Sequence, residues 1–330
     1  MMLSRAVVMV FGVILLAAVV TGSAFAAQQT TEGAEAGTTV TNDSSAVDPA
    51  PLEVLNWVYL VAGAAAVGLF FWRRWYRWGA GGPQPRVMSP AGGLAMALVM
   101  LGLARLGAQG AVWLFGIDLT GADGASMSLA DSGRLQLGSY AAQGIILAAF
   151  VWLVVRAKRP ARARRSGIPR AALIGVAALL LFWPVVNCVA FAAGSVIEVL
   201  TGRAPDPIAH ALLAQLVESP VDVWLYLTIA LVVVGAPLYE EVLYRGIVQQ
   251  ALIGAGMRRW PAILATSVVF AFVHAGAVSS VHALAALFVL SIGFGWIYER
   301  TGRLSASITM HAVFNLTNLL LAWLTVGTGS

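Results

Sequence analysis

The sequence predicts an all-α fold, a polytopic bundle of membrane helices, and three observations carry that class. Hydrophobic residues make up 59% of the 330 and charged residues 11%, whereas a soluble domain carries about 25% charged residues. The apolar residues also fall in blocks of about 18 to 25, the length a helix needs to cross about 30 Å of hydrocarbon. Finally, most of the 20 basic residues gather in short stretches between those blocks, where they orient helices in a bilayer. A soluble globular protein is thereby excluded, and the net charge of +5 implies the lipid bilayer as a partner and no nucleic acid. The single cysteine, Cys188, can build neither a disulfide framework nor a cysteine-rich metal site, and no basic neighbour lowers its pKa for thiol chemistry.

The first element is a secretory signal over 1–27. Arg5 precedes an apolar run from Ala6 to Val20, and Ala24 and Ala26 give the small-x-small pattern of a cleavage site. Residues 28–53 turn to Thr, Gly, Ser, Asp and Glu with almost no large apolar side chain, so they cannot bury a core and read as a disordered extracytoplasmic tail. About eight transmembrane helices follow, at 54–72, 90–116, 137–155, 171–200, 223–252, 261–280, 281–298 and 305–326. The first four lie in an N-terminal region, 54–219, and the last four in a candidate catalytic core, 220–326. With the mature N-terminus outside, the inner loops carry Arg73, Arg74, Arg77 and Arg86, then the basic run Arg156 to Arg170, then Arg258 and Arg259, then Arg300 and Arg303. The outer loops hold Asp118, Asp123, Asp131, Asp206, Glu218 and Asp222. The positive-inside rule is met at every inner loop, which predicts a multi-pass protein of the cell (inner) membrane. No matched pair of interrupted helices marks a transporter.

Ionisable groups in the bilayer interior are costly, and each is a functional hypothesis. They concentrate in the last third of the chain. The fifth span carries Pro237, Glu240, Glu241 and Arg245. Adjacent helix positions point about 100° apart, so the two glutamates should address different partners. Glu241 and Arg245 stand at i and i+4, acid first, which favours an intrahelical ion pair and leaves Glu240 free to take a proton from water. Pro237 lacks the N–H that would bond Val233 and should kink the helix. The same cluster would also arise as a simple cytoplasmic end snorkelling into headgroups. His274 lies on the sixth span, four residues after Phe270, and a lone histidine there is more often a hydrogen-bonded packing residue than a catalyst. On the eighth span His311 and Asn315 share a face one turn apart, which also fits a polar interhelical clamp. Together the three helices offer an acid, two imidazoles and an amide, the inventory for hydrolysing a peptide bond: Glu240 with His274 on the water, His311 and Asn315 on the oxyanion.

These motifs, Glu240-Glu241-x-x-x-Arg245, Phe270-x-x-x-His274 and His311-x-x-x-Asn315, resemble those of the CAAX prenyl endopeptidase and bacteriocin-processing family, the type II prenyl-protein endopeptidase relatives also called CPBP intramembrane metalloproteases. The resemblance covers about residues 220 to 326. It implies a glutamate-dependent intramembrane endopeptidase, a CAAX protease-like hydrolase, acting on a membrane-associated or exported protein or peptide, with Glu241, Arg245 and Phe270 in supporting positions. Glu240, His274 and His311 could hold zinc, but the His-Glu-x-x-His pair of soluble zinc proteases is absent. Asn315 is a poor zinc ligand and a good oxyanion donor, so a metal-independent mechanism is expected. The alternatives are a non-catalytic scaffold or immunity-type protein that keeps the groups as a structural network, and a proton-coupled transporter using the same Glu and His residues as a relay.

Overall fold

The structure is a computed structural model describing residues 49–78, 88–119, 127–156, 168–203, 211–278 and 281–327. The expected signal peptide, and the expected tail as far as residue 48, lie outside the described residues. The chain is helical throughout, with no strand among the described residues. We number the helices α1 (Pro49–Trp72), α2 (Pro90–Phe115), α3 (Leu129–Arg156), α4 (Ile168–Thr201), α5 (Ala211–Glu218), α6 (Val223–Gly254), α7 (Arg259–Val273, continued by a 3₁₀ turn His274–Gly276), α8 (Val281–Thr301) and α9 (Leu304–Gly327). Seven of these are long and apolar enough to cross a membrane among the described residues, and α1 contributes a shorter apolar stretch, Trp57–Trp72. The expected eight spans thus become seven and this shorter one.

The helix ends follow local chemistry. Ser89 caps α2 by accepting a hydrogen bond from the Gly92 N–H at 3.1 Å, and Pro90 occupies the first turn, where a missing N–H costs nothing. Gly116 closes the helix in the left-handed region at φ 62°, a conformation that favours glycine. Helix α3 starts at Leu129, eight residues before the apolar block suggested. Ser128 accepts from the Asp131 N–H at 3.1 Å, and Asp131 pairs with Arg134 at 2.8 Å, so two polar turns extend the helix beyond the part that hydropathy detects. The short helix α5 falls within the expected outer loop; its eight residues are too few for a periodic signal, and Leu216 seats it against Leu225 and Leu319.

Helices α2 and α3 cross at Gly107 and Gly138, where a Cβ on either glycine would collide with the carbonyl oxygen of the other. Small residues of this kind let membrane helices approach closely enough for backbone packing. Behind this pair, α6 is enclosed by α2, α7, α8 and α9, and α4 packs on α1, α8 and α9. The main core runs through these contacts with Met100, Ile247, Leu252, Phe270, Phe294 and Met310 fully enclosed. At one end, the turn after α1 is tied to the core. The backbone carbonyl of Trp75 accepts from the Trp296 indole at 3.1 Å, and that of Tyr76 accepts from the Trp260 indole at 2.8 Å. Trp75 and Trp78 are therefore half-buried packing residues.

Candidate active site

Helix α6 carries the glutamate pair because its geometry changes twice around it. Asp222 caps its start by accepting from the Leu225 N–H at 2.8 Å. The helix then widens to π geometry over Leu231–Gly235, returns to α over Ala236–Glu241, and widens again over Val242–Gln249. Such π segments are rare and gather at functional sites. In the first one the Ala236 N–H donates to the Leu231 carbonyl, five residues back. The next bond in that register would run from residue 237 to Val232, and Pro237 has no N–H to make it. The carbonyl set free is thus that of Val232, not of Val233 as α geometry predicts, and Asn315 of α9 fills it, its side-chain amide donating at 2.9 Å.

Beside this break lies a sealed polar layer. Glu241 and Arg245 are both fully buried. The guanidinium donates to Glu241 Oε1 at 2.9 Å and, from its other terminal nitrogen, to the hydroxyl and carbonyl of Ser291 on α8 at 2.6 and 3.1 Å. The rings of Phe270 and Phe294 flank its charge at 4.9 and 5.0 Å, an arrangement in which the π faces partly replace lost hydration. Glu241 Oε1 also accepts from His311 Nδ1 at 3.0 Å. His311 stacks on Phe294 with centroids 4.6 Å apart and planes 21° from parallel. Ring stacking and the Nδ1 hydrogen bond together fix the direction of its other nitrogen.

That nitrogen belongs to a second, more open layer. His311 Nε2 stands 4.0 Å from Glu240 Oε2, and His274 Nε2 stands 3.8 Å from the same oxygen. His274 sits where α7 tightens into its 3₁₀ turn, and its Nδ1 is 2.7 Å from the Phe270 carbonyl. A carbonyl only accepts, so Nδ1 carries the proton and Nε2 presents a lone pair. Side-chain exposure is 23% for Glu240 and 19% for His274, against 0% for Glu241. Glu240 Oε2 itself has no hydrogen-bond partner. The sequence geometry expected the two glutamates to face separate partners. Instead His311 meets both, one with each ring nitrogen, because an imidazole offers nitrogens on two edges and so spans the angle between adjacent side chains.

These separations are short enough for one water about 2.8 Å from each atom to bridge them. Zinc fits less well. Ligands about 2.1 Å from a four-coordinate ion stand about 3.4 Å apart, closer than the 3.8 and 4.0 Å that separate Glu240 Oε2 from His274 and His311, and among the described residues no group of three or more His, Cys, Asp or Glu is gathered to hold a metal ion. The residues present therefore do not fit a zinc site.

The structure brings Glu240, Glu241, Arg245, Phe270, His274 and His311 into one assembly. Asn315 stands one turn beyond His311 on α9, and its side-chain amide goes to the Val232 carbonyl, eight residues before Glu240. Sequence reasoning missed Ser291 and Phe294, which brace Arg245 and His311 from α8, since neither belongs to a recognisable spacing. It also missed a cavity of about 190 Å³ that opens beside Glu240 and His274 and is walled by α2 and α3 as well as α6 and α7, with Tyr140 and Gln143 among its lining residues. Tyr140 and Tyr239 stack across it at 4.7 Å, 6° from parallel. A separate buried cluster joins Glu299 to Gln249 at 3.0 Å, to Gln250 at 2.6 Å and to Arg259 at 3.5 Å, tying α6, α7 and α8 together away from Glu240.

Residues 222–317 match the family model described as Rce1-like, type II CAAX prenyl endopeptidase Rce1-like. The matched segment contains all seven motif residues, from Glu240 to Asn315. No curated protein and no solved structure matches the chain.

Proposed function

Proceeding from residues 222–317 as an Rce1-like, protease-type core, we propose that the protein is an intramembrane endopeptidase that hydrolyses a peptide bond of a membrane-associated or exported protein. We further propose that it is a multi-pass protein of the inner membrane with its mature N-terminus outside, as the loop charges favour. The observation that carries the enzymatic reading is the contrast at one helix turn: Glu241 is neutralised by Arg245 and enclosed, while Glu240 is partly open and faced by two imidazole nitrogens.

In the proposed reaction, Glu240 Oε2 and His274 Nε2 accept the two protons of one water and aim its oxygen. Glu240 takes a proton as that oxygen bonds to the scissile carbonyl carbon. The carbonyl oxygen becomes an oxyanion, and Asn315, whose amide has a second N–H beyond the one given to Val232, donates to it with His311 Nε2. His311 is held in this position by its Nδ1 hydrogen bond to Glu241 Oε1. Collapse of the intermediate breaks the carbon–nitrogen bond, and the proton held by Glu240 passes to the leaving amine. No step needs a metal.

The test is comparative proteomics of membrane fractions from cells carrying the intact protein or Glu240→Ala. A fragment pair present only with the intact protein is expected. Identical fragment patterns, with both forms present at equal level, would defeat the enzymatic reading in favour of a structural network.

A further inference from the structure

We propose that the cavity beside Glu240 is the subsite for the substrate residue flanking the scissile bond: Gln143 of α3 pairs with the substrate backbone, and the walls select an uncharged apolar side chain. The proposal rests on the endopeptidase reading above and adds to it the part of the chain that chooses the substrate.

Three observations lead there. First, the cavity has the volume of a single side chain. At about 190 Å³ it exceeds the roughly 150 Å³ at which an apolar protein cavity accepts a benzene-sized group. Second, its walls are apolar and aromatic, with Leu101 and Ala104 from α2, Leu243 from α6 and Val273 from α7 beside the Tyr140–Tyr239 stack. Glu240 is the one carboxylate among its lining residues, and no Lys or Arg lines it, so an acidic substrate residue would meet repulsion without compensation. Third, Gln143 is 8% exposed and is one of the polar side chains that line this cavity. A carboxamide offers both donor N–H groups and an acceptor oxygen, which complement the C=O and N–H of an extended peptide backbone. The close α2–α3 crossing at Gly107 and Gly138 holds these walls together. Both helices precede residue 222, so part of the lining, Leu101, Ala104, Tyr140 and Gln143, lies outside the segment that carries the chemistry.

Two measurements on the full chain in lipid vesicles test this. The probe is a defined set of apolar peptides, each about 20 residues long so as to span the bilayer, varied at single positions. Cleavage products are sequenced by mass spectrometry for the intact protein, for Gln143→Met and for Leu101→Trp, which narrows the cavity. Gln143→Met should raise KM by about three- to ten-fold, the loss of one or two neutral hydrogen bonds, with kcat held. Leu101→Trp should shift the preferred residue at the cut toward Gly and Ala. Unchanged KM and unchanged preference in both variants would overturn the subsite while leaving the protease reading in place.

The second measurement needs no turnover. In a Glu240→Ala, Cys188→Ser background, Ala104→Cys is labelled with a maleimide. The same peptides should slow its labelling, and adding Gln143→Met should remove most of that protection. Absence of protection by every peptide would overturn the subsite independently. Protection without any cleavage by the intact protein would keep the subsite and defeat the protease reading instead.

Discussion

Two layers of the same helix turn treat charge in opposite ways. In the sealed layer, Glu241 and Arg245 are enclosed completely and hydrogen-bonded to each other, to Ser291 and to His311. In the open layer, one residue earlier, Glu240 is left facing two imidazole nitrogens at 3.8 and 4.0 Å beside a cavity. The difference teaches how a site with several polar groups can be held inside apolar helices. One carboxylate is spent on fixing His311 and on giving the guanidinium a partner, so the other can remain uncompensated without the helices separating. His311 belongs to both layers, and through it the rigid one sets the geometry of the reactive one.

The comparison can be broken most severely at Arg245. Arg245→Leu leaves Glu241 as an uncompensated buried charge, which typically costs about 3–5 kcal/mol, so a large fall in unfolding temperature in detergent is expected, with cleavage lost as a consequence. Asn315→Ala should act on the open layer instead. Loss of an oxyanion donor lowers kcat by about 10²- to 10³-fold, and because Val232 also loses its hydrogen bond, a fall in stability of about 1 kcal/mol should accompany it. Phe294→Leu keeps the apolar volume but removes the ring under His311 and beside Arg245. Aromatic contacts of this kind are worth about 0.5–1.5 kcal/mol, so a modest loss of stability and a comparable loss in kcat are expected, measured by calorimetry and by cleavage of one peptide substrate. The smallest effect should come from Pro237→Ala. An N–H at residue 237 competes with Asn315 for the Val232 carbonyl, so kcat should fall about two- to five-fold, the worth of weakening one neutral hydrogen bond, while KM stays constant.

Much of this contrast was legible before any coordinates. The i, i+4 spacing of Glu241 and Arg245 suffices to pair them, and the ordered motifs on three apolar blocks suffice to gather Glu240, His274 and His311. What the spacing hid were the consequences of π geometry. An α-helical reading of Pro237 points to the Val233 carbonyl, whereas a register one residue longer frees Val232 and gives Asn315 a fixed partner. It also hid contributions from helices without a motif. Ser291, Phe294 and Gln143 look like ordinary residues of apolar spans, and only packing brings them to Arg245, His311 and the cavity. At the ends of helices, polar turns such as Asp131 to Arg134 escaped because hydropathy reports where a helix is apolar, not where it begins.

The division between the two glutamates is tested most directly by parallel measurements on Glu240→Gln and Glu241→Gln in the same vesicles, following unfolding temperature and cleavage of one peptide substrate. Glu240→Gln should keep or raise the unfolding temperature, since it relieves an uncompensated carboxylate, and should abolish cleavage. Glu241→Gln should lower the unfolding temperature sharply, since it strands the buried Arg245. Cleavage surviving in Glu240→Gln, or equal loss of stability in both variants, would contradict the assignment of chemistry to one carboxylate and of support to the other.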